Sequence, residues 1–331
     1  MDGLKIRPLS QAEFPQWDEL VSLSERGALF HSTTWLKASG EKVVIYGCFR
    51  GNELVAGLPF VQSTRACVVK CAEHPPLTPY LGILFRESAG KYVSTISAKK
   101  KFSAALAKRL KENFQVIRFG FSPGPADLQP FIWEGFSCSV KYTYILNLDD
   151  LERVWEGMDE KRRNDIRRAE KDGIYVEDDA GFGEIFTLVE KTFQRQRMKL
   201  RFRAAAFRYN ELLQRQGKCR SFLARDKNGV PLAGVHIVWD WNRSYYLLGG
   251  YDLERRHHGA SALAIWRAIR FTKNELGLRE FDFEGSMIPQ VEQFFRKFGG
   301  RLTPYYSISW MRPTLKVGVF AKRQLARIFS R

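Results

Sequence analysis

The clearest pattern of apolar and polar positions lies in the C-terminal half, from Gly229 to Trp310. Val230–Trp239 is apolar and rich in β-branched residues, and Ser244–Gly249 carries two tyrosines and two leucines, so both read as strands. Trp241-Asn242-Arg243 is the hairpin turn between them. Ser261–Leu276 is apolar at helical spacing and stops at Gly277. Glu280–Phe283 reads as a short strand broken by Gly285-Ser286. Pro289–Phe298 reads as a helix ended by Gly299-Gly300, and Tyr305–Trp310 as a final strand.

The preceding chain uses the same grammar. Phe14, Trp17, Leu20 and Leu23 mark a helix, and Ser32 or Thr33 caps a short one bearing Trp35. Lys42–Arg50 and Glu53–Gln62 are strands joined by Gly51-Asn52. Ala98–Phe114 is a helix with a basic face, Val116–Phe121 a strand, Asp127–Gly135 a short helix and Tyr142–Leu148 a strand. Phe182–Arg197 and Ala204–Gln216 are helices, and Cys219–Arg225 is a strand. Val43–Gly57 and Ser221–Gly234 share one order: an apolar strand, a turn, and a second strand reaching Ala-Gly. The recurrence predicts two copies of one α/β unit, joined by a basic helix.

Composition narrows the function classes. With 331 residues and 44% hydrophobic content, the chain can build one or two real cores. No apolar run approaches the ~20 residues of a membrane span. Met1–Leu9 lacks the apolar segment of a signal peptide, so a cytoplasmic location is expected. Five scattered cysteines suit reduced thiols. Cys67, Cys71 and His74 lack a fourth metal ligand at a recognisable spacing, and no metal is expected. The net charge of +17 points to an anionic partner: nucleic acid, anionic lipid or a phosphate-rich substrate.

The order strand, glycine turn, helix, strand resembles the acyl-binding half of GNAT acyltransferases. Three motifs resemble the FemAB-like branch, with its BioF2-like acetyltransferase domain. They are Asp282-Phe283-Glu284-Gly285-Ser286, then Phe295-Arg296-Lys297-Phe298-Gly299, and the basic helix Lys161–Glu170. The resemblance implies an α/β (strictly α+β) fold of two GNAT-like domains in tandem, each a mixed, mostly antiparallel sheet flanked by helices. The expected divisions are an N-terminal domain at 1–150, the basic connecting helix at 151–171, a C-terminal domain with the donor site at 172–312, and a basic amphipathic tail at 313–331. The tail suits an anionic membrane surface or docking on the core.

Two sites follow from the residues themselves. Arg255, Arg256, Gly259 and Ala260 open a helix, where free N–H groups and the helix dipole favour phosphate. Asp282 and Glu284 sit two apart at a strand end. Glu284 is the candidate general base for an amine nucleophile, and Asp282 the turn-fixing partner. The resemblance adds the pyrophosphate of acyl-CoA at the Arg255–Ala260 turn, with Ser261 standing where the pattern has Gly or Ala. It adds acceptor-binding roles for Trp35, Lys37 and Arg197. It also adds a cation from the late helix, where Phe295 occupies the family's lysine position and Arg296 is its neighbour. The implied function is N-acyl or aminoacyl transfer to the amine of an anionic, nucleotide-linked or cell-envelope acceptor, with acyl-CoA or aminoacyl-tRNA as donor. A different class also fits the charge: a non-catalytic binder of RNA or anionic membrane on the same scaffold.

Overall fold

The computed structural model describes residues 4–87 and 90–315. The chain divides into two units, Met1–Lys141 with Tyr305–Arg331, and Tyr142–Pro304.

In the first unit, β1 (Leu4–Pro8), β2 (Lys42–Arg50), β3 (Glu53–Arg65) and β4 (Val69–Glu73) form an antiparallel run, and β5 (Leu84–Phe85) pairs with β3. β6 (Val116–Gly120) lies parallel to β4. Around this sheet stand α1 (Phe14–Leu23), α2 (Thr33–Ala38), α3 (Tyr92–Asn113) and α4 (Gln129–Trp133). Inside it Phe60 meets Phe114 edge-on at 5.3 Å between ring centroids and Phe119 at a tilt at 5.8 Å.

β7 (Ser137–Asn147) leads into the second unit. There α5 (Leu151–Gly157) and α6 (Glu160–Lys171) precede β8 (Tyr175–Asp178), α7 (Phe182–Arg195), α8 (Arg203–Arg215), β9 (Cys219–Arg225), β10 (Pro231–Trp239) and β11 (Arg243–Tyr251). Then come α9 (Ala260–Asn274), β12 (Glu280–Asp282), α10 (Pro289–Arg296) and β13 (Arg301–Met311). The sheet of this unit runs β7, β12, β11, β10, β9, β8. Every pairing is antiparallel except β11 with β12. α9 is the crossover that this parallel pair requires. The final strand forms where the alternation places it, and its residues Ser307–Met311 pair with β6.

The repeated Ala-Gly has one physical use in both units. A Cβ on Gly57 would stand 2.6 Å from the ring of Trp17 on α1, and one on Gly234 would stand 2.5 Å from Ile185 on α7. Each glycine lets a helix of its unit lie directly on the hairpin. The tandem arrangement thus reaches down to single atoms.

The basic helix α6 lies within the second unit and packs on α9 and α10. Ile166 and Ala169 are fully buried. The guanidinium of Arg162 sits 4.2 Å over Phe294 and 4.9 Å over Phe298, and Nη2 donates to the Phe294 carbonyl at 3.3 Å. Lys161, Arg167, Arg168 and Lys171 remain exposed. Phe281, Phe283, Phe295 and Phe298 are buried beneath this packing, each contributing roughly 1.5–3 kcal/mol by leaving water.

Gly259, the N-cap of α9, explains why α6 sits so close. A Cβ there would lie 2.0 Å from the Asp165 carbonyl oxygen and 3.0 Å from the Ala169 side chain. Backbone cannot yield as a flexible side chain can. Gly259→Ala is expected to destabilise the protein by about 1–3 kcal/mol through overpacking. A lowered urea midpoint at unchanged slope checks this; an unchanged midpoint would show that the two helices separate freely.

Candidate active site

The parallel pairing of β11 with β12 lasts three residues, Arg243–Tyr245 against Glu280–Asp282. β11 continues to Tyr251 without β12 beside it. β12 ends at Asp282, the last paired residue, and a cleft of about 650 Å³ lies along the part of β11 beyond it. Tyr246, Gly249, Gly250 and Tyr251 of β11 line it, with Gly234 and Val235 of β10, Thr192 and Arg195 of α7, Ser261 of α9, and Val291 and Phe295 of α10.

β11 is irregular at this point. His236 pairs with Leu248, but the next residue, Ile237, pairs with Tyr246, so Leu247 is an extra residue in the strand. Such a bulge re-aims its neighbours and leaves a residue out of the ladder. It brings the Tyr246 hydroxyl over Gly249, to within 1.7 Å of where a Cβ would be. Gly250 serves the other face, where a Cβ would meet the Leu188 carbonyl of α7 at 2.4 Å.

Glu284 stands at the base of this arrangement. Its backbone is left-handed, φ +55°, as is that of Gly285 at φ +67°. A non-glycine residue in that region stores strain, which concentrates at functional sites. The turn is pinned from two sides. Asp282, fully buried, accepts from the Glu284 N–H at 2.8 Å and from Thr143 Oγ1 at 2.6 Å. Gly285 has no room for a side chain, since a Cβ would lie 2.1 Å from the Tyr142 carbonyl.

Glu284 as a residue is half-buried, yet its Oε1 is sealed from solvent and without a hydrogen-bond partner. Burial, and then the negative charge of Asp282, hold its carboxyl well above the usual carboxylate range. The Tyr246 phenol is raised by burial and then by the charge of Glu284, which ties the carboxyl to the cleft. Tyr246 therefore keeps its proton and can donate it in a hydrogen bond.

The other residues singled out in the sequence are spread more widely. Arg255 and Arg256 are exposed on the loop before α9. Arg255 lines a separate depression of about 350 Å³ with Glu184, Lys191, Asp252 and Glu254. Gly259 and Ala260 are buried. The Gly259 N–H donates to His257 Nδ1 at 3.1 Å, and the Ala260 N–H to the His257 carbonyl at 3.3 Å. His257 Nε2 in turn lies 3.2 Å from Asp172.

Arg197 is exposed, with φ +53°, one residue past the cap of α7. Arg195, two residues earlier, is the one that lines the cleft, 4.4 Å over the Tyr251 ring. Arg296 is exposed and lies 3.5 Å from Glu292. In the first unit, Trp35 is a fully buried core side chain whose indole donates to Thr78 Oγ1 at 2.8 Å. Lys37 is exposed, 4.9 Å over the Phe14 ring. His74 is occupied at both nitrogens, Nδ1 with the Thr78 carbonyl and Nε2 with the Gly120 N–H, each at 2.8 Å. Among the described residues no group of three could hold a metal. The tail from residue 316 onward lies outside the described residues.

Residues 160–296 match the family described as acetyltransferase (GNAT) domain. The match opens on the first residue of α6 and closes on the last of α10, so it encloses the cleft. FemX superposes on this chain with a TM-score of 0.65 at 14% identity, covering 95% of this chain and 99% of its own. Residues 160–296 thus carry a GNAT domain, and the chain has the fold of tandem GNAT proteins. A tandem GNAT protein from the clavulanic acid biosynthesis pathway covers 93% of this chain and 98% of its own, with a TM-score of 0.56 and 11% identity. The C-terminal domain of a putative lysylphosphatidylglycerol synthetase from Agrobacterium fabrum gives 0.56 at 10% identity, covering 91% and 92%. No curated protein matches the sequence. No helix of the described residues is long and apolar enough to cross a membrane.

The raised carboxyl of Glu284 carries a stability consequence with a definite sign. The native state holds this proton to higher pH than the unfolded chain. Stability is thus complete below about pH 4.5 and falls as pH rises through the raised folded value. Glu284→Gln removes that dependence. The variant is expected to match the parent in acid and exceed it in urea midpoint above neutral pH. A variant less stable at every pH would show that the carboxylate is favourably held.

Proposed function

We propose that this protein transfers an acyl or aminoacyl group to the amine of an anionic acceptor, with the chemistry in the second unit. The observation that carries the proposal is the sealed, unpartnered Oε1 of Glu284, whose charge acts on a phenol that lines a 650 Å³ cleft. An amine attacks an acyl carbonyl only as its neutral form. Glu284, once ionised, takes the proton as the C–N bond forms, and its raised pKa brings base strength toward neutral pH. The carbonyl oxygen gains charge in the same step, and the Tyr246 hydroxyl is the donor at hand to stabilise it. The C–S or C–O bond to the carrier then breaks, and the carrier leaves with a proton.

The GNAT domain supports an acyl-CoA co-substrate, and the fold shared with FemX supports an aminoacyl donor as the other arm. Exposed Arg255 and Arg256 suit the donor's phosphates, and Arg195 suits an anionic group at the cleft. A cell-envelope or polysaccharide precursor carries an amine together with such charge. The net charge of +17 favours an anionic carrier, and we place the protein in the cytoplasm with peripheral contact at the inner membrane surface.

Release of free thiol from acyl-CoA, and of free tRNA from aminoacyl-tRNA, with a panel of amine acceptors would test the reading. Glu284→Gln should lower kcat about 10²–10⁴-fold at little change in KM. The parent rate should rise with pH through a titration the variant lacks. Near-normal kcat per folded molecule would remove Glu284 from the mechanism.

A further inference from the structure

We infer that the group this cleft encloses is a long aliphatic chain bearing an anionic head, rather than an acetyl group; this rests on reading the cleft as the transfer site. Its 650 Å³ falls in the range of about 300–1,000 Å³ that encloses a whole drug-sized ligand. The two carbons of an acetyl group leave most of that space empty. The walls are Val235 on β10 and Val291, Phe294 and Phe295 on α10, with the side-chain-free Gly249 at the floor.

The mouth mixes the polar side chains Gln196 and Gln290 with apolar ones. Met198 and Ile288 both line the cleft, yet 47% and 43% of their surface stands open to solvent. Apolar side chains left open around a cavity mark a surface awaiting an apolar partner, and a methionine adapts to a flexible one. Arg195 is the one charged side chain among the lining residues, held over Tyr251. The adjoining depression contrasts sharply, with Glu184, Lys191, Asp252, Glu254 and Arg255 around it. One cation beside an otherwise uncharged chamber is complementary to an amphiphile: a fatty acyl donor, or a lipid-linked acceptor.

Calorimetric titration of the full chain with acetyl-, octanoyl- and dodecanoyl-CoA, and with a dodecanoyl lysophosphatidylglycerol, separates the two sources. Affinity is expected to rise with chain length by up to about fourfold per methylene buried. The rise appears among the CoA esters if the donor supplies the chain, and with the lysolipid if the acceptor does. Val291→Trp, which fills the chamber, should weaken dodecanoyl binding at least tenfold and acetyl-CoA binding far less. Ile288→Ser, at the exposed rim, should weaken dodecanoyl binding less and guards against a misfolded variant. Acetyl-CoA binding as tightly as dodecanoyl-CoA, with the lysolipid not bound, overturns the inference and leaves the transfer reading standing. Binding of none of the four also overturns the inference, while the transfer reading falls only if neither free thiol nor free tRNA is released with any acceptor.

Discussion

A glutamate oxygen sealed from water, with no hydrogen-bond partner to offset its burial, is the constraint around which the turn after β12 is arranged. Glu284 reaches that position only because its backbone takes a left-handed turn that an ordinary residue avoids. The turn exists because Asp282 grips its N–H from one side while the backbone of β7 leaves space only for a glycine on the other. The same Asp282 supplies the negative charge that further discourages ionisation of Glu284. Each residue of Asp282-Phe283-Glu284-Gly285 is thus specified by a distinct contact, with Phe283 buried among the rings of α10.

The cleft above depends on two departures from regular sheet. β12 stops where β11 goes on, and β11 gains an extra residue just past the last paired position. Neither is a flaw in packing. The cleft lies along the stretch of β11 beyond β12, and the phenol of Tyr246 lines it. The glycines that follow keep that space from being refilled by their own side chains.

Much of this was legible in the sequence, and the exceptions have physical causes. The paired hairpins ending in Ala-Gly announced two related units, and each glycine proves to lie under a helix of its own unit. Glu284 was legible because a carboxylate beside a strand-ending glycine is a local feature. Tyr246 was not, since a bulge arises from pairing with β10 and leaves no local mark. Arg197 and Trp35 come from the family resemblance, which does not show where α7 stops or which side chains enter the core; Arg195 lines the cleft, and the Trp35 ring fills the core against Phe30. Gly259 looked like a place for phosphate. Its lack of a side chain instead admits α6, a contact between residues 94 positions apart (259 minus 165) that no local pattern encodes.

The protonation state of Glu284 at neutral pH is the most direct test. Infrared difference spectra of the parent against Glu284→Gln isolate this one carboxyl. The account predicts that the carbonyl stretch of the protonated acid persists to higher pH than for an ordinary glutamate, giving way to carboxylate bands only above the usual acid range. A carboxylate signature already complete at neutral pH, titrating in the ordinary acid range, would contradict it.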